Sequence, residues 1–159
     1  MIRIWTGFDV HAFCDGDGLT LGGIKIPFNK SFMAHSDGDV LIHSICDALY
    51  GSLALGDIGF YFPPNELKWK DCSSEVFLLH AMKLITEQKF KIENIDTTII
   101  CEQPKIKPHI SKIQTNLAKI MSLEPNQISI KATTTEKLGI CGREEGIAVQ
   151  SVCLIKKVT

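Results

Sequence analysis

The sequence predicts an α+β fold, an α/β sandwich in which helices cover a sheet. Three observations support this prediction: a strand-like N-terminal stretch, three segments with apolar residues at helical spacing, and β-branched runs late in the chain. The chain has 159 residues and 45% of them are hydrophobic, so it can build a sizeable core. We therefore assign residues 1–159 to one domain.

The predicted elements follow from these patterns and from the Gly, Pro and Asp clusters that separate them. A pair of glycines, Gly22-Gly23, indicates a hairpin, and Ser36 with Asp39 resembles a capping box at the first helix. A long loop should cover residues 56–73. The predicted order is strands over 2–11 and 19–27, helices over 36–53 and 74–88, a strand over 92–102, a helix over 110–121, and strands over 128–132 and 146–155.

The composition of the chain limits which partners it can bind and which cellular compartment suits it. The net charge of −1 and the pI near 6.5 argue against general binding to nucleic acid or to an anionic membrane. No run approaches the roughly 20 apolar residues that a membrane span needs. The six cysteines are dispersed without a C-x-x-C pair, which favours free thiols in a reducing compartment. We expect a cytoplasmic protein.

Asp9, His11 and His43 form a candidate metal site. Asp9 and His11 are two residues apart in a strand, so their side chains project from the same face. A histidine from the first helix would complete the three protein ligands of a catalytic zinc. Asp39 and Asp47 stand four residues to either side of His43, and either could orient its imidazole. Taken alone, the same residues more often form a strand end and a hydrogen-bonded helix histidine.

Two further segments carry groups that suit a phosphate. His35 and Ser36 precede the first helix, whose N-terminal amides favour an anion. Residues 131–137 hold three threonine hydroxyls, two lysines and Glu136, a carboxylate that can bind a hard divalent cation. Arg143 adds a fixed positive charge. A helix cap and a solvated strand end remain the alternatives.

Two short stretches could contact a nucleoside. Asp57 and Gly59 could bind ribose hydroxyls, as acidic residues do in other nucleotide sites. The sequence Pro-Lys-Ile-Lys-Pro over residues 104–108 could wrap a base with its main chain. A helix-ending loop and a rigid turn with solvated lysines would explain the same residues.

Four segments occur together in an order that is specific in combination. They are GFDVHAF over residues 7–13, AHSDGD over residues 34–39 followed by His43, ALGDIG over residues 54–59, and KATTTEKLG over residues 131–139. Through them the sequence closely resembles the 2-C-methyl-D-erythritol 2,4-cyclodiphosphate synthase family over essentially the whole chain.

The resemblance implies a mixed four-stranded sheet with helices packed on one face, an N-terminal β-hairpin, and a homotrimer with active sites between neighbouring subunits. It implies a cytidine diphosphate substrate, 4-diphosphocytidyl-2-C-methyl-D-erythritol 2-phosphate, whose 2-phosphate attacks its own β-phosphorus and expels CMP. This is a phosphorus-oxygen lyase step of the non-mevalonate isoprenoid pathway. A prenyl diphosphate on the trimer axis is also implied.

The resemblance also implies a role for each matched residue. Asp9, His11 and His43 would bind Zn²⁺. Glu136 would help hold Mg²⁺ or Mn²⁺. His35 and Thr134 would stabilise the transition state. The substrate-binding positions would be Ser36, Asp57, Ile58, Gly59, Phe62, Glu66, Cys101, Pro104, Lys105, Ile106, Lys107, Thr133, Thr135, Ile140 and Arg143. The family's acidic loop is replaced here by Pro63-Pro64-Asn65-Glu66.

Two other functions remain open at this level. A non-catalytic nucleotide-binding or isoprenoid-sensing trimer would release CMP no faster than its His43→Ala variant. A zinc phosphohydrolase would place an oxygen from water, rather than from the substrate's own phosphate, in the product.

Overall fold

The computed structural model describes residues 1–63 and 65–158. Its strands are β1 (Ile2–Asp15), β2 (Leu19–Leu21), β3 (Ile24–Ile26), β4 (Lys30–Phe32), β5 (Phe90–Ile100), β6 (Ile128–Thr133) and β7 (Gly146–Lys157). Its α-helices are α1 (Val40–Ser52), α2 (Ile58–Tyr61), α3 (Glu75–Glu87), α4 (Ile110–Met121) and α5 (Gly139–Gly142). Short 3₁₀ turns occur at Leu67–Trp69, Lys107–His109 and Pro125–Gln127.

The main sheet of the described residues is mixed and has the strand order β4-β1-β7-β5-β6. β5 and β6 are parallel, and the other neighbours are antiparallel. The predicted α+β class is confirmed, and β2 and β3 form the predicted hairpin as a separate sheet. The sheet has five strands rather than the predicted four because Lys30–Phe32 pairs with the end of β1. A three-residue strand is too short to show a periodic pattern in the sequence.

A glycine in β1 lets α1 lie directly on the sheet. A Cβ at Gly7 would be 2.0 Å from the main-chain oxygen of Ser44, so no other residue fits there without moving the helix. The Ser44 hydroxyl contacts both the Gly7 carbonyl (3.2 Å) and the Ser151 hydroxyl (2.8 Å). This close approach sets the height of α1 above β1, and therefore the position of His43 above its neighbours on the strand.

The two faces of β1 differ in what covers them. Residues two apart in a strand share a face, and Gly7 faces α1, so Asp9 and His11 lie on the helix side. The opposite face carries Ile4, Phe8 and Val10, and Phe8 is 59% exposed. The predicted packing of helices on one face is thus confirmed, and the other face of β1 is apolar and open in the single chain.

The first helix begins at Asp39 rather than through a capping box with Ser36. The Asp39 carboxylate accepts hydrogen bonds from the amides of Ile42 (3.0 Å), Gly22 (3.0 Å) and Gly23 (2.7 Å). Burial raises the pKa of Asp39 to about 6. The side chain therefore joins the hairpin to α1, a long-range role that spacing along the helix cannot reveal.

The remaining predicted elements agree closely with the structure. The helix over 110–121 has the predicted bounds, and the predicted helix over 74–88 includes the two cap residues of α3. The described residues of the segment over 56–73 form a loop that contains α2 and one 3₁₀ turn. All six cysteines are free thiols. Within the described residues, every helix is too short or too polar to traverse a bilayer.

Candidate active site

The three predicted zinc ligands converge. One ligand atom each from Asp9, His11 and His43 lies within 4.8 Å of the others. Asp9 Oδ2 is 3.0 Å from His11 Nε2 and 3.3 Å from His43 Nδ1. One carboxylate and two imidazoles at this separation suit a divalent cation with three protein ligands and a position left for another oxygen.

The main chain fixes the tautomer of His11. Its Nδ1 lies 2.8 Å from the carbonyl oxygen of Gly38, which can only accept, so Nδ1 carries the hydrogen. Nε2, on the opposite side of the ring, faces Asp9, and in the neutral ring it carries the lone pair that can bind a cation. A metal-binding histidine normally has such a partner on its second nitrogen.

The cluster is also electrostatically coupled. Burial opposes charge on Asp9, but hydrogen bonds and positive charge from His11 and His43, when their imidazoles are protonated, outweigh it and hold the pKa of Asp9 well below its usual range. Burial would likewise lower the pKa of His11, but the hydrogen bond and charge of Asp9 raise it. A carboxylate that stays ionised between two imidazoles is a strong site for a cation.

The partner of His43 was predicted wrongly. Among the described residues, neither Asp39 nor Asp47 makes a hydrogen bond to its ring: Asp39 binds main-chain amides, and Asp47 accepts from the Ile58 amide at 2.8 Å. The His43 Nε2 atom instead lies 2.8 Å from the hydroxyl of Ser74, 31 residues further along the chain. Helical spacing identifies only neighbours on the same helix, and this contact comes from α3.

The cluster opens into a cavity of about 280 Å³. Five further residues from the predicted site line it, namely His35, Ser36, Ile58, Gly59 and Phe62. Its wall is completed by Met33, Ala34, Trp69 and Phe77, and the rings of Phe62 and Phe77 lie 4.5 Å apart between centroids. The cavity thus has metal-binding groups at one end and aromatic groups around them.

A second cavity, of about 190 Å³, lies at the β6 edge of the sheet. The predicted cytosine segment lines it, with the residues Cys101, Pro104, Lys105, Ile106 and Lys107, and so do Thr133 and Thr134 at the end of β6. β1 and β6 are three strand positions apart, which is about 14 Å at a spacing of about 4.8 Å. Within one chain the two cavities are therefore separate. We call the first, around Asp9, and the second, around Thr134, the two half-sites of the predicted active site.

The loop after β6 carries Glu136 and is held by Glu102. The Glu102 carboxylate accepts from the amides of Thr135 (3.2 Å) and Lys137 (3.0 Å). Glu136 is exposed, and its carboxylate accepts from the Thr134 hydroxyl at 3.2 Å. Glu136 and Lys137 both adopt positive φ. Glu102 was not predicted, because only the folded loop brings the two amides to it.

Three other predicted residues, Asp57, Glu66 and Arg143, are not among the residues that line the two cavities. Asp57 caps α2 through the Phe60 amide (3.1 Å) and is exposed, beside Ile58 and Gly59. Glu66 pairs with Lys68 at 2.6 Å and Arg143 with Glu145 at 2.8 Å, so in the single chain each already has a partner. Pro64 lies outside the described residues.

Ile140 lines neither of the two cavities. It lines a small cavity of about 230 Å³ with Val10 and Ala12. His11 also borders this cavity, as do Glu145 and Gly146.

Trp69 is a further site residue that the sequence analysis missed. Its indole Nε1 is buried and has no hydrogen-bond partner among residues 1–63 and 65–158, and its ring lines the first cavity. The ring packs edge-on against Phe62, with centroids 4.8 Å apart. A tryptophan in a loop gives no periodic signal from which such a position could be predicted.

Together the fold and the cluster define a class: an α+β protein with a candidate metal site, made by one carboxylate and two imidazoles, at the end of an aromatic-lined cavity. A family model described as the YgbB family matches residues 2–156. The chain belongs to this family.

Relatives agree with this assignment. A 2-C-methyl-D-erythritol 2,4-cyclodiphosphate synthase from Marinobacter nauticus is 50% identical over 158 residues, which cover 99% of each chain. The solved bifunctional IspDF from Campylobacter jejuni matches with a TM-score of 0.96 and 41% identity over 99% of this chain and 43% of its own. The Plasmodium falciparum IspF CDP complex matches with a TM-score of 0.88 and 37% identity, over 99% of this chain and 97% of its own.

The resemblance found in the sequence is thereby confirmed. The chain spans almost all of the Marinobacter relative and less than half of the bifunctional one.

Proposed function

We propose that this protein converts 4-diphosphocytidyl-2-C-methyl-D-erythritol 2-phosphate to 2-C-methyl-D-erythritol 2,4-cyclodiphosphate and CMP. This phosphorus-oxygen lyase reaction belongs to the non-mevalonate isoprenoid pathway. The observation that carries the proposal is the convergence of Asp9, His11 and His43 at the end of a cavity that also holds His35 and Ser36. The names of full-length relatives at about 50% identity support the same reaction.

The donor set fits the metals that the reaction requires. Asp9, His11 and His43 offer one oxygen and two nitrogens, a ligand set typical of catalytic zinc. Glu136 offers an exposed carboxylate beside the Thr134 hydroxyl, which suits a hard cation such as Mg²⁺ or Mn²⁺. When bound, such cations neutralise charge on the phosphoryl groups and align the attacking and leaving oxygens.

The chain itself positions the substrate and excludes water. An oxygen of the 2-phosphate bonds to the β-phosphorus while the bond from that phosphorus to the bridging oxygen breaks, so the bridging oxygen leaves with CMP. No enzyme nucleophile is needed. His35 and Ser36 donate to phosphate oxygens from the cavity wall, and Phe62, Trp69 and Phe77 keep competing water away. Thr134 donates to the same phosphates from the other half-site.

The cytosine base belongs to the second cavity. Residues 101–107 contact the base, largely through the main chain, and Asp57 with Gly59 binds the ribose hydroxyls. Thr133 and Thr135 carry hydroxyl groups beside the diphosphate. The two cavities lie three strand positions apart in one sheet, and we propose that one substrate molecule binds the first cavity of one copy of the chain and the second cavity of a neighbouring copy.

We therefore include a homotrimer with active sites between subunits in the proposal. The exposed apolar side chains of Ile4, Phe8 and Val10 support it, since such a surface favours association. A prenyl diphosphate on the trimer axis, near Ile140 and Arg143, belongs to the same proposal. Six free thiols support a reducing compartment, and we infer a cytoplasmic location.

The test is incubation with the cytidine diphosphate substrate, zinc and Mg²⁺ or Mn²⁺ in water labelled with ¹⁸O. We expect CMP and unlabelled cyclic diphosphate in equal amounts, and loss of both in His43→Ala. Linear products that carry ¹⁸O would contradict the cyclase and indicate a phosphohydrolase. CMP release that is equal in wild type and His43→Ala would contradict catalysis at this site.

A further inference from the structure

Ser74 occupies a helix-capping position without capping the helix. It is the N-cap residue of α3, where a serine hydroxyl usually accepts a main-chain hydrogen bond from the first turn. Here the side chain makes no such bond, and its oxygen lies 2.8 Å from His43 Nε2. The residue is fully buried. The hydroxyl therefore serves the imidazole rather than its own helix.

Asp37 holds Ser74 from the other side. The Ser74 hydroxyl makes a short hydrogen bond to Asp37 Oδ1, and the Ser74 amide donates to Oδ2 at 3.0 Å. Two main-chain bonds fix the same neighbourhood: the Asp37 amide donates to the Cys72 carbonyl (3.1 Å), and the Asp71 amide donates to the His35 carbonyl (2.9 Å). These four hydrogen bonds hold the segment that precedes α3 against the segment that precedes α1.

The chemistry of the three groups gives the chain of hydrogen bonds a direction. An ionised carboxylate only accepts, so the Ser74 hydroxyl must donate its single hydrogen to Asp37. The Ser74 oxygen can then only accept from His43, which places a hydrogen on Nε2. The neutral ring consequently carries its lone pair on Nδ1, the nitrogen that faces Asp9 at 3.3 Å.

We propose that Asp37 and Ser74 are positioning residues that fix the tautomer and orientation of His43 as a metal ligand. This inference rests on the metal-binding part of the proposed function. The two histidines of the cluster are set by different means: His11 by the main-chain carbonyl of Gly38, and His43 by side chains. Substitution can therefore remove the support of His43 alone.

The test measures zinc affinity of the metal-depleted full-length protein by competition with a chromophoric chelator. Ser74→Ala should weaken zinc binding about 10-fold to 100-fold, the usual effect of removing a hydrogen-bond partner of a metal-binding histidine. Asp37→Asn should also weaken zinc binding. The amide of the asparagine can donate to the Ser74 oxygen, which would reverse the direction of the hydrogen bonds between residue 37, Ser74 and His43. Zinc binding by Ser74→Ala within about twofold of wild type would overturn the proposal.

The neighbouring Ser73 provides a matched control. It is exposed, and its hydroxyl accepts from the Glu75 amide at 3.3 Å without contacting His43. Ser73→Ala should therefore leave zinc affinity unchanged. Urea unfolding of each metal-free variant separates a loss of affinity from a loss of fold.

Ring ¹⁵N NMR of the wild type gives a second readout that needs no variant. At about pH 8 the His43 ring should carry its hydrogen on Nε2. A hydrogen on Nδ1 with Nε2 bare would overturn the proposal, even if the variants failed to fold. The proposed reaction can fail separately: a protein that binds zinc through an Nε2–H tautomer but releases no CMP would contradict the reaction and leave this inference intact.

Discussion

The two half-sites of this chain are built in opposite ways. The cluster around Asp9 is rooted in the core, because β1 packs on α1 at Gly7 and side chains from α1 and α3 meet above the strand. The loop around Glu136 is exposed and is held mainly by one carboxylate, that of Glu102. The first region is preassembled by packing, whereas the second depends on a few hydrogen bonds at a sheet edge.

This difference matches the two tasks of the proposed reaction, which are binding a cation and binding the diphosphate of the substrate. A cation site needs ligands held at fixed distances, which a packed core provides. A loop that closes on a diphosphate does not need this rigidity. In the proposed trimer, contacts with another copy of the chain can order it at a smaller cost in folding free energy. Substitutions should therefore affect folding and zinc binding in the first region, and substrate affinity in the second.

The largest effect is expected where α1 touches β1. Gly7→Ala places a methyl group 2.0 Å from the Ser44 oxygen, so we expect a loss of about 3 kcal/mol in the free energy of unfolding and weaker zinc binding. Urea unfolding of the metal-free protein measures the first quantity, and chelator competition the second.

Gly139→Ala is the control for this change. Gly139 has positive φ, but among the described residues no atom beyond its chain neighbours and its own helix lies within 4 Å of a Cβ there. The cost should therefore be about 1 kcal/mol of backbone strain, with zinc affinity unchanged. Equal losses in the two variants would show that close packing is not what anchors the metal cluster.

An intermediate effect is expected in the exposed loop. Glu102→Ala leaves the amides of Thr135 and Lys137 to water, which should cost about 1 kcal/mol of loop order and raise the KM for substrate about fivefold to tenfold. Zinc affinity should not change. Glu102→Gln keeps an acceptor oxygen and should stay near wild type. Loss of zinc binding in Glu102→Ala would mean that the two regions are coupled within one chain.

The smallest effect is expected at the ion pair between Asp96 and Lys131 on the sheet surface near the second half-site. Both side chains are substantially exposed, so Asp96→Asn should cost no more than about 0.5 kcal/mol. The difference from wild type should vanish in about 1 M salt. A loss that persists in high salt would show that the pair orders β6 by more than charge.

The sequence was sufficient where the signal is local. Alternation placed Asp9 and His11 on one face of a strand, and helical periodicity predicted α3 and α4 closely. The family resemblance added the residues of both half-sites. Each of these predictions depends on spacing along the chain or on a set of motifs.

Contacts between distant segments could not be predicted in this way. Ser74 supports His43 across 31 residues, Glu102 reaches the loop 33 residues further on, and Asp39 binds the hairpin rather than the imidazole. These are polar groups whose partners are defined only when two elements pack. Helix spacing predicted Asp39 or Asp47 as the partner of the His43 ring. In the folded chain both carboxylates accept hydrogen bonds from main-chain amides instead.

Subunit complementation tests the separation of the half-sites most directly. His43→Ala damages the first half-site and Thr134→Ala the second, and each protein alone should release little CMP. The two variants are mixed in equal amounts, unfolded and refolded together. If neighbouring copies share a site, the resulting trimers should regain about a quarter of wild-type activity, because about one interface in four pairs an intact first half-site with an intact second half-site. If the mixture remains as inactive as its components, both halves act within one chain and the account is wrong.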